Sequence, residues 1–521
     1  MSKFTKSNSG RPTDVGRSAN PGLLTTVAAL IIIAGVLASL QLIAARHGFS
    51  DPDVYYHLRM AELMKSGHII TNFPWLPYTT LAQHFVDLHL AFHFLLIPFT
   101  SLNAAPWANA LISLLMFCGF GLLLRQLRVR DAAFWLLLLC LGSADFLYRI
   151  SILKANTLSL LILFLSIIAI ERRRYLWLFL LSALYVFSYG GFFILLGIAG
   201  LYTLSRLAIK KLEFKPLLVV LAGTVLAILL YHPTDLLYHL YNQTGGVATA
   251  LHRFIPLGLE WQRYDSWYQF FTLEALVLGL FLAVAGQSIK IFRTADPEQK
   301  AQLLWLGSIS IITFVAMLWS RRFVEYWVPF SVLFAAVCFS QGLQTGLAGS
   351  LKQAWQIHLE FRLASLILGL LALIFIGNNL KTNRDYLYSL TPTTAFAGAS
   401  QWLVSHSQPK QIVFNTSWDE FPQLFYWNDK NYYVTGLDPS FLYNQNQALY
   451  FKWQLISDDN AGAWTPASLS QILKNDFQAS YLFLENSRNS NLKTFLDAAA
   501  ASSPMFSKVY NDELTSVYRI N

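Results

Sequence analysis

The stretch Ser50-Asp51-Pro52-Asp53-Val54-Tyr55-Tyr56-His57-Leu58-Arg59 sets two carboxylates, two tyrosines, a histidine and an arginine just beyond a long apolar run. Carboxylate oxygens at the water-facing mouth of a membrane helix suit a hard divalent cation. His57 and Arg59 are candidates for an anionic headgroup, since charge-assisted hydrogen bonds favour phosphate. Two further polar constellations follow. One is Gly258-Leu259-Glu260-Trp261-Gln262-Arg263-Tyr264-Asp265-Ser266-Trp267; the other is Ser320-Arg321-Arg322-Phe323-Val324-Glu325-Tyr326-Trp327. Adjacent arginines at the end of an apolar run point to a phosphate, which guanidinium binds in bidentate fashion. The alternative there is a structural pair, Arg322 with Glu325 about one helical turn on.

The elements that must hold these groups are membrane helices. The chain has 521 residues, of which 55% are hydrophobic, 15% aromatic and only 13% charged, a composition that makes it polytopic. Spans are expected near 22–45, 104–126, 132–147, 156–170, 175–189, 191–207, 216–231, 270–290, 303–320, 326–344 and 361–378, about 11 and up to 13, since roughly 20 apolar residues cross a bilayer. Arginine and lysine mark cytoplasmic turns. Here they fall in the tail 1–21 (Lys3, Lys6, Arg11, Arg17), at Arg125, Arg128 and Arg130, at Arg172 to Arg174, and at Lys210-Lys211. All share one side if 87–101 is an amphipathic helix at the outer interface. The loops 46–103 and 232–267 then face outward, as does everything after Lys381. The net charge of +9 reflects these anchors, and nucleic-acid binding is a poor explanation for it. Cys118, Cys140 and Cys338 all lie in apolar runs, which argues against a disulfide framework.

Past residue 380 the texture becomes polar and aromatic. Strands are expected at 411–414, 432–434, 481–484, 506–510 and 516–520, with helices near 393–406, 440–454, 466–475 and 491–501. The segment 381–521 therefore reads as a soluble α/β domain on the outer face, behind a transmembrane domain of 22–380. Tyr433 to Pro439 reads as a strand-to-helix turn capped by Asp438, with a place in the wall of a cleft as the alternative.

Asp51-Pro52-Asp53 followed by Tyr55-Tyr56-His57-Leu58-Arg59 resembles the first external loop of the GT-C glycosyltransferases, most closely the catalytic subunits of oligosaccharyltransferases. Glu260-Trp261-Gln262 with Trp267 beyond it resembles a Glu-His-Gln-Pro stretch in a later loop of those enzymes. Arg321 or Arg322, ahead of Pro329, resembles the arginine that contacts the lipid-linked phosphate. The resemblance implies that Asp53 or Asp51, with Glu260, flanks a divalent cation, magnesium or manganese. It leaves Asp145, near Arg149 and Lys154, as either a further ligand or a helix-end charge. Ser417-Trp418-Asp419-Glu420 is the nearest counterpart of the family's Trp-Trp-Asp-Tyr-Gly acceptor motif; Trp418 and Asp419 are kept, and the missing residues count against asparagine-sequon recognition.

The expectation is a glycosyltransferase of the bacterial inner membrane, moving a sugar or oligosaccharide from a polyprenyl-phosphate-linked donor to an extracytoplasmic protein, lipid or polysaccharide. The competing class is a lipid or glycan transporter or flippase. Transporters place ionisable groups near the bilayer midplane, whereas here they gather at one face.

Overall fold

A backbone crossing hydrocarbon can satisfy its amides only internally, and each apolar run expected to cross is helical. The computed structural model describes residues 21–248, 255, 258–344, 347–459 and 461–521. The tail bearing Lys3, Lys6, Arg11 and Arg17, and the middle of the 232–267 loop, lie outside them.

In chain order the helices are α1 (Pro21–His47), α2 (Asp53–Met64), α3 (Leu90–Leu96), α4 (Ala105–Gln126), α5 (Ala132–Leu141), α6 (Ala144–Ser151), α7 (Ala155–Glu171), α8 (Tyr175–Ser188), α9 (Phe193–Ala208), α10 (Lys215–Leu230), α11 (Pro233–Ala248), α12 (Trp267–Thr294), α13 (Pro297–Trp319), α14 (Val324–Gln344), α15 (Leu347–Ile357) and α16 (Leu359–Tyr388). Among the described residues α1, α4, α12, α13, α14 and α16 are long and apolar enough to cross a membrane. Helices α7, α8 and α9 are apolar but shorter.

The run 132–147, read as one straight span, is bent: α6 leaves α5 at 84°. Gly142 closes α5, and Ser143 starts α6 by accepting the Phe146 amide on its hydroxyl at 2.9 Å, a local cap that allows the turn inside the helical layer. The 232–267 loop is not all irregular either, because α11 continues from α10 at 111°. In the 87–101 segment α3 is far too short to span. It buries Phe92, His93 and Leu96 while leaving Phe94 and Leu95 exposed.

Polar and ionic contacts mark both ends of the helical layer. At one, Arg172 at the end of α7 donates to Gln126 at the end of α4 (2.6 Å), and Arg206 of α9 pairs with Glu213 (3.2 Å). At the other end lie the three acidic and basic constellations.

After α16 come α17 (Ala397–His406) and α18 (Phe421–Trp427), set around a sheet of β1 (Ile412–Asn415), β2 (Tyr432–Tyr433), β3 (Ala479–Glu485), β4 (Phe506–Asn511) and β5 (Thr515–Ile520). The strand order is β2-β1-β3-β5-β4. Strand β1 runs parallel to β2 and β3, while β5 runs antiparallel to β3 and β4. Each expected strand is present. The expected helix 440–454 breaks at Asn446, whose side chain caps the second half by accepting the Leu449 amide at 3.0 Å.

This unit is docked firmly on the first loop. Tyr56, Met60, Met64 and Phe73 share one apolar core with Phe421, Phe425 and Tyr433. Polar ties rim it: Arg59 pairs with Asp429, Trp75 Nε1 donates to the Asp429 carbonyl at 2.8 Å, and Tyr55 donates to the Thr393 carbonyl at 2.9 Å. Gly48, at φ 140°, lets the end of α1 approach the chain leaving α16; a Cβ there would stand 2.1 Å from the Thr391 carbonyl oxygen.

Phe425 is fully buried, with its ring centroid 4.8 Å from that of Trp75 and 5.6 Å from that of Phe73. Phe425→Ala should therefore cost about 3–5 kcal/mol. A lowered melting temperature in detergent, with earlier proteolysis of the segment after residue 390, would confirm this docking. Unchanged melting would contradict it.

Candidate active site

A cavity of about 640 Å³ opens where these elements meet, lined by Asp51, Asp53, Asp145, Arg149, Lys154, Glu260, Arg321, Arg322, Trp418 and Asp419 among others. Of the candidate residues, Asp51, Asp53, Asp145, Glu260, Arg321, Arg322, Trp418 and Asp419 are thus brought together.

Asp51 and Asp53 stand at the start of α2. The Asp51 carboxylate accepts the Asp53 amide at 2.9 Å, the local turn that a short acidic side chain offers ahead of a helix. Between the two carboxylates lies Lys154, at the N-terminal cap of α7, with Nζ 2.7 Å from Asp51 and 2.9 Å from Asp53. Burial pushes the Asp53 carboxyl up to about 6; Lys154 opposes that rise, and Asp51 and Glu260 add to it.

The bend at Ser143 lays α6 across the cavity wall, so that Asp145 and Arg149, one helical turn apart, both reach in. Arg321 grips Asp145 with two bonds, Nε to Oδ2 at 2.6 Å and Nη2 to Oδ1 at 2.5 Å. Arg149 bridges two acids: it pairs with Glu260 and donates to Glu325 from Nη2 at 2.8 Å and from Nε at 3.1 Å. The alternative pair of Arg322 with Glu325 gives way to this one, and Arg322 instead donates to Glu260 at 2.9 Å.

Glu260 sits in a single tight turn, Leu259–Trp261, strapped to the start of α14. The Arg321 amide donates to the Gln262 carbonyl at 2.9 Å, and the Ser320 hydroxyl donates to the Glu260 carbonyl at 3.3 Å. The Arg322 guanidinium lies 4.3 Å from the Trp261 ring centre, and that of Arg321 lies 5.3 Å from the Tyr264 ring centre, placements that favour a cation over an aromatic face. Burial alone would raise the Glu260 carboxyl, but Arg149, Lys154 and Arg322 hold it well below the usual range.

Trp418 and Asp419 come down on the cavity from the turn after β1. Glu420 shapes that turn by accepting the Ser417 amide at 2.9 Å and the Thr416 hydroxyl at 3.2 Å, and burial pushes its carboxyl up to about 8. Asp419 itself pairs with Arg488. Leu437, Asp438 and Pro439 complete this wall, with Asp438 accepting the Ser440 amide at 2.8 Å as a helix-start turn.

Two candidates for the donor phosphate lie elsewhere. Arg59 points to Asp429 and serves the docking interface. His57 is buried against α3, its Nδ1 2.8 Å from His93 Nε2, and His93 Nδ1 is 2.7 Å from Asp87. Its imidazole is thereby spent within the loop and does not face the cavity. Lys154, Arg149 and Tyr189 join the site with no role expected of them, and Glu325 was expected only as a structural partner of Arg322. The signal available for the first two was the spacing of Asp145, Arg149 and Lys154.

The expected cation meets an occupied donor set. Among the described residues no three carboxylate, histidine or cysteine side chains converge on one point. Lys154 holds Asp51 and Asp53, Arg321 holds Asp145, and two arginines hold Glu260. As placed, these residues do not fit a divalent ion, and the site carries its positive charge on the chain itself.

No protein-family model matches the chain, and no curated protein matches it by sequence. Solved structures do match. The apo oligosaccharyltransferase of Archaeoglobus fulgidus superposes with a TM-score of 0.58 at 15% identity, covering 88% of this chain and 69% of that one. ArnT from Cupriavidus metallidurans matches in its apo state with a TM-score of 0.51 at 13% identity, covering 95% and 97%. Its form bound to undecaprenyl phosphate gives 0.52 at 13% identity, covering 96% and 98%. Both are GT-C glycosyltransferases, so the resemblance drawn from the motifs holds at the level of the fold.

Proposed function

We propose that this multi-pass membrane protein is a glycosyltransferase that moves a sugar or oligosaccharide from a polyprenyl-phosphate-linked donor to an extracytoplasmic acceptor. The observation that carries the reading is the meeting of Asp53, Lys154, Glu260, Arg321 and Arg322 in one cavity at the end of membrane helices. An undecaprenyl phosphate in a structure of the same fold supports a polyprenyl donor.

The chemistry follows from the partners. The donor phosphate competes with Glu260 for Arg322 and with Asp145 for Arg321, because planar guanidinium takes phosphate and carboxylate alike. A nucleophile of the acceptor attacks the anomeric carbon and forms the new bond. The bond from that carbon to the phosphate oxygen breaks, and its electron pair leaves with the polyprenyl phosphate. Arg321, Arg322 and Lys154 stabilise the charge that builds on that oxygen. Asp53 takes the acceptor's proton, a task that suits a carboxyl lifted to about 6. Trp418 and Asp419 share the cavity with the arginines, so acceptor and donor meet at one wall.

Arg322→Ala in nanodiscs should weaken binding of undecaprenyl phosphate at least about tenfold, with Arg322→Lys between it and the wild type, since Lys keeps the charge but loses the fork. Native mass spectrometry of the lipid-bound fraction measures this. Equal binding by the wild type and Arg322→Ala would remove the donor reading.

A further inference from the structure

Arg322 does not stand free at the cavity wall. It donates from Nη1 to Glu260 at 2.9 Å and from Nη2 to the Tyr189 hydroxyl at 3.0 Å. That hydroxyl in turn donates to Glu325 Oε1 at 3.0 Å. Glu325 Oε2 accepts from Arg149 at 2.8 and 3.1 Å, and Arg149 returns to Glu260. The five side chains close a ring, Glu260 to Arg149 to Glu325 to Tyr189 to Arg322 and back, in which two acids alternate with two bases and the tyrosine hydroxyl closes the gap.

The ring draws on α6, α14, the end of α8 and two tight turns, so no single element could position it. Tyr189 lies outside the cavity lining and is 6% exposed. Its place depends on the residues that follow it. A Cβ on Gly191 would lie 2.6 Å from Tyr189 Cε1, so the phenol ring folds back over a position that only glycine leaves open. Glu325 is 1% exposed, and a buried carboxylate of this kind persists only when paired and hydrogen-bonded.

We propose that Tyr189 and Glu325 are positioning residues that aim the Arg322 guanidinium at the donor phosphate. When phosphate displaces Glu260 from Arg322, the Tyr189 hydroxyl is the side-chain hydrogen bond that remains, beside the Trp261 ring on which the guanidinium lies, and it fixes the plane of the fork. This rests on the donor reading above, and the two are separable by experiment.

Tyr189→Phe keeps the ring volume and removes one hydroxyl. It should raise the apparent KM for a polyprenyl-phosphate sugar roughly tenfold, the scale of one hydrogen bond to a charged group, and leave kcat within about twofold, as loss of uniform binding does. In the Arg322→Ala background the same substitution should change nothing, because coupled residues are not additive. Gly191→Ala, which displaces the phenol without removing it, should raise KM in the same way. A KM unchanged by Tyr189→Phe while Arg322→Ala raises it, or equal effects of Tyr189→Phe in both backgrounds, would overturn the proposal. Should Arg322→Ala itself leave undecaprenyl phosphate bound as before, the donor reading falls. The ring is then judged by melting temperature, where Tyr189→Phe must destabilise the wild type more than it destabilises Arg322→Ala.

Discussion

Asp53→Asn leaves the protein folded and lowers glycosyl transfer by about 10²–10⁴, the contribution of a positioned general base. The amide keeps the shape of the carboxylate and removes both its charge and its basicity. The pH dependence follows from the same group. Asp53 works ionised, and burial lifts its carboxyl to about 6. Wild-type kcat/KM should therefore be level above about pH 7 and fall about tenfold per unit as pH drops below 6. The residual activity of Asp53→Asn should show no such limb. Asp51→Asn is the control: Asp51 caps the Asp53 amide and shares Lys154, so its loss should cost far less. Transfer rates for both variants across pH 4 to 9 check this, and an acid limb that survives in Asp53→Asn would assign the base elsewhere.

Lys154→Met produces the second large effect. Its ammonium lies 2.7 and 2.9 Å from two carboxylates, all three side chains being half-buried, and removing the cation costs between the about 1 kcal/mol of an exposed pair and the about 3–5 kcal/mol of a buried one, because the charges left behind lose their compensation. Asp53 also loses the cation that opposes its rise. Its carboxyl must climb further, so the acid limb of the remaining activity should move to higher pH. A lowered melting temperature with that alkaline displacement is the expected result. A normal melting temperature together with an unmoved profile would show that Lys154 holds neither carboxylate in the working protein.

Much of the site was legible because membrane chains carry few charges, and those at helix ends must face water or one another. Asp51, Asp53, Asp145, Glu260, Arg321 and Arg322 were visible for that reason, and the apolar runs located the helices beside them. Partner choice was not visible. Glu325 lies three positions from Arg322 but pairs with Arg149, 176 positions away, because the bend at Ser143 brings α6 to the start of α14. Lys154 reaches Asp51 and Asp53 across about a hundred residues by the same route. Arg59 belongs to the same motif as Asp53, yet six residues on it lies on another side of α2 and meets Asp429. His57 has its partner in His93, on the short helix inside the expected 87–101 segment, and no spacing in the chain reveals that the two helices meet there. The strands of the C-terminal unit were readable from their β-branched and aromatic runs. Its seating on α2 was not, since the apolar faces of both pieces look like ordinary core until they are brought together.

Transfer from a polyprenyl-linked donor frees the carrier, so the released polyprenyl phosphate is the quantity to measure. Wild-type protein and Asp53→Asn, purified into liposomes, would be incubated with a panel of polyprenyl-phosphate sugars and a membrane extract as acceptor, and the freed polyprenyl phosphate quantified. Release is expected from the wild type with at least one donor, with a loss of at least about a hundredfold in Asp53→Asn. Release that is equal in the two proteins, or a wild type that binds undecaprenyl phosphate and releases nothing from any donor, would contradict it.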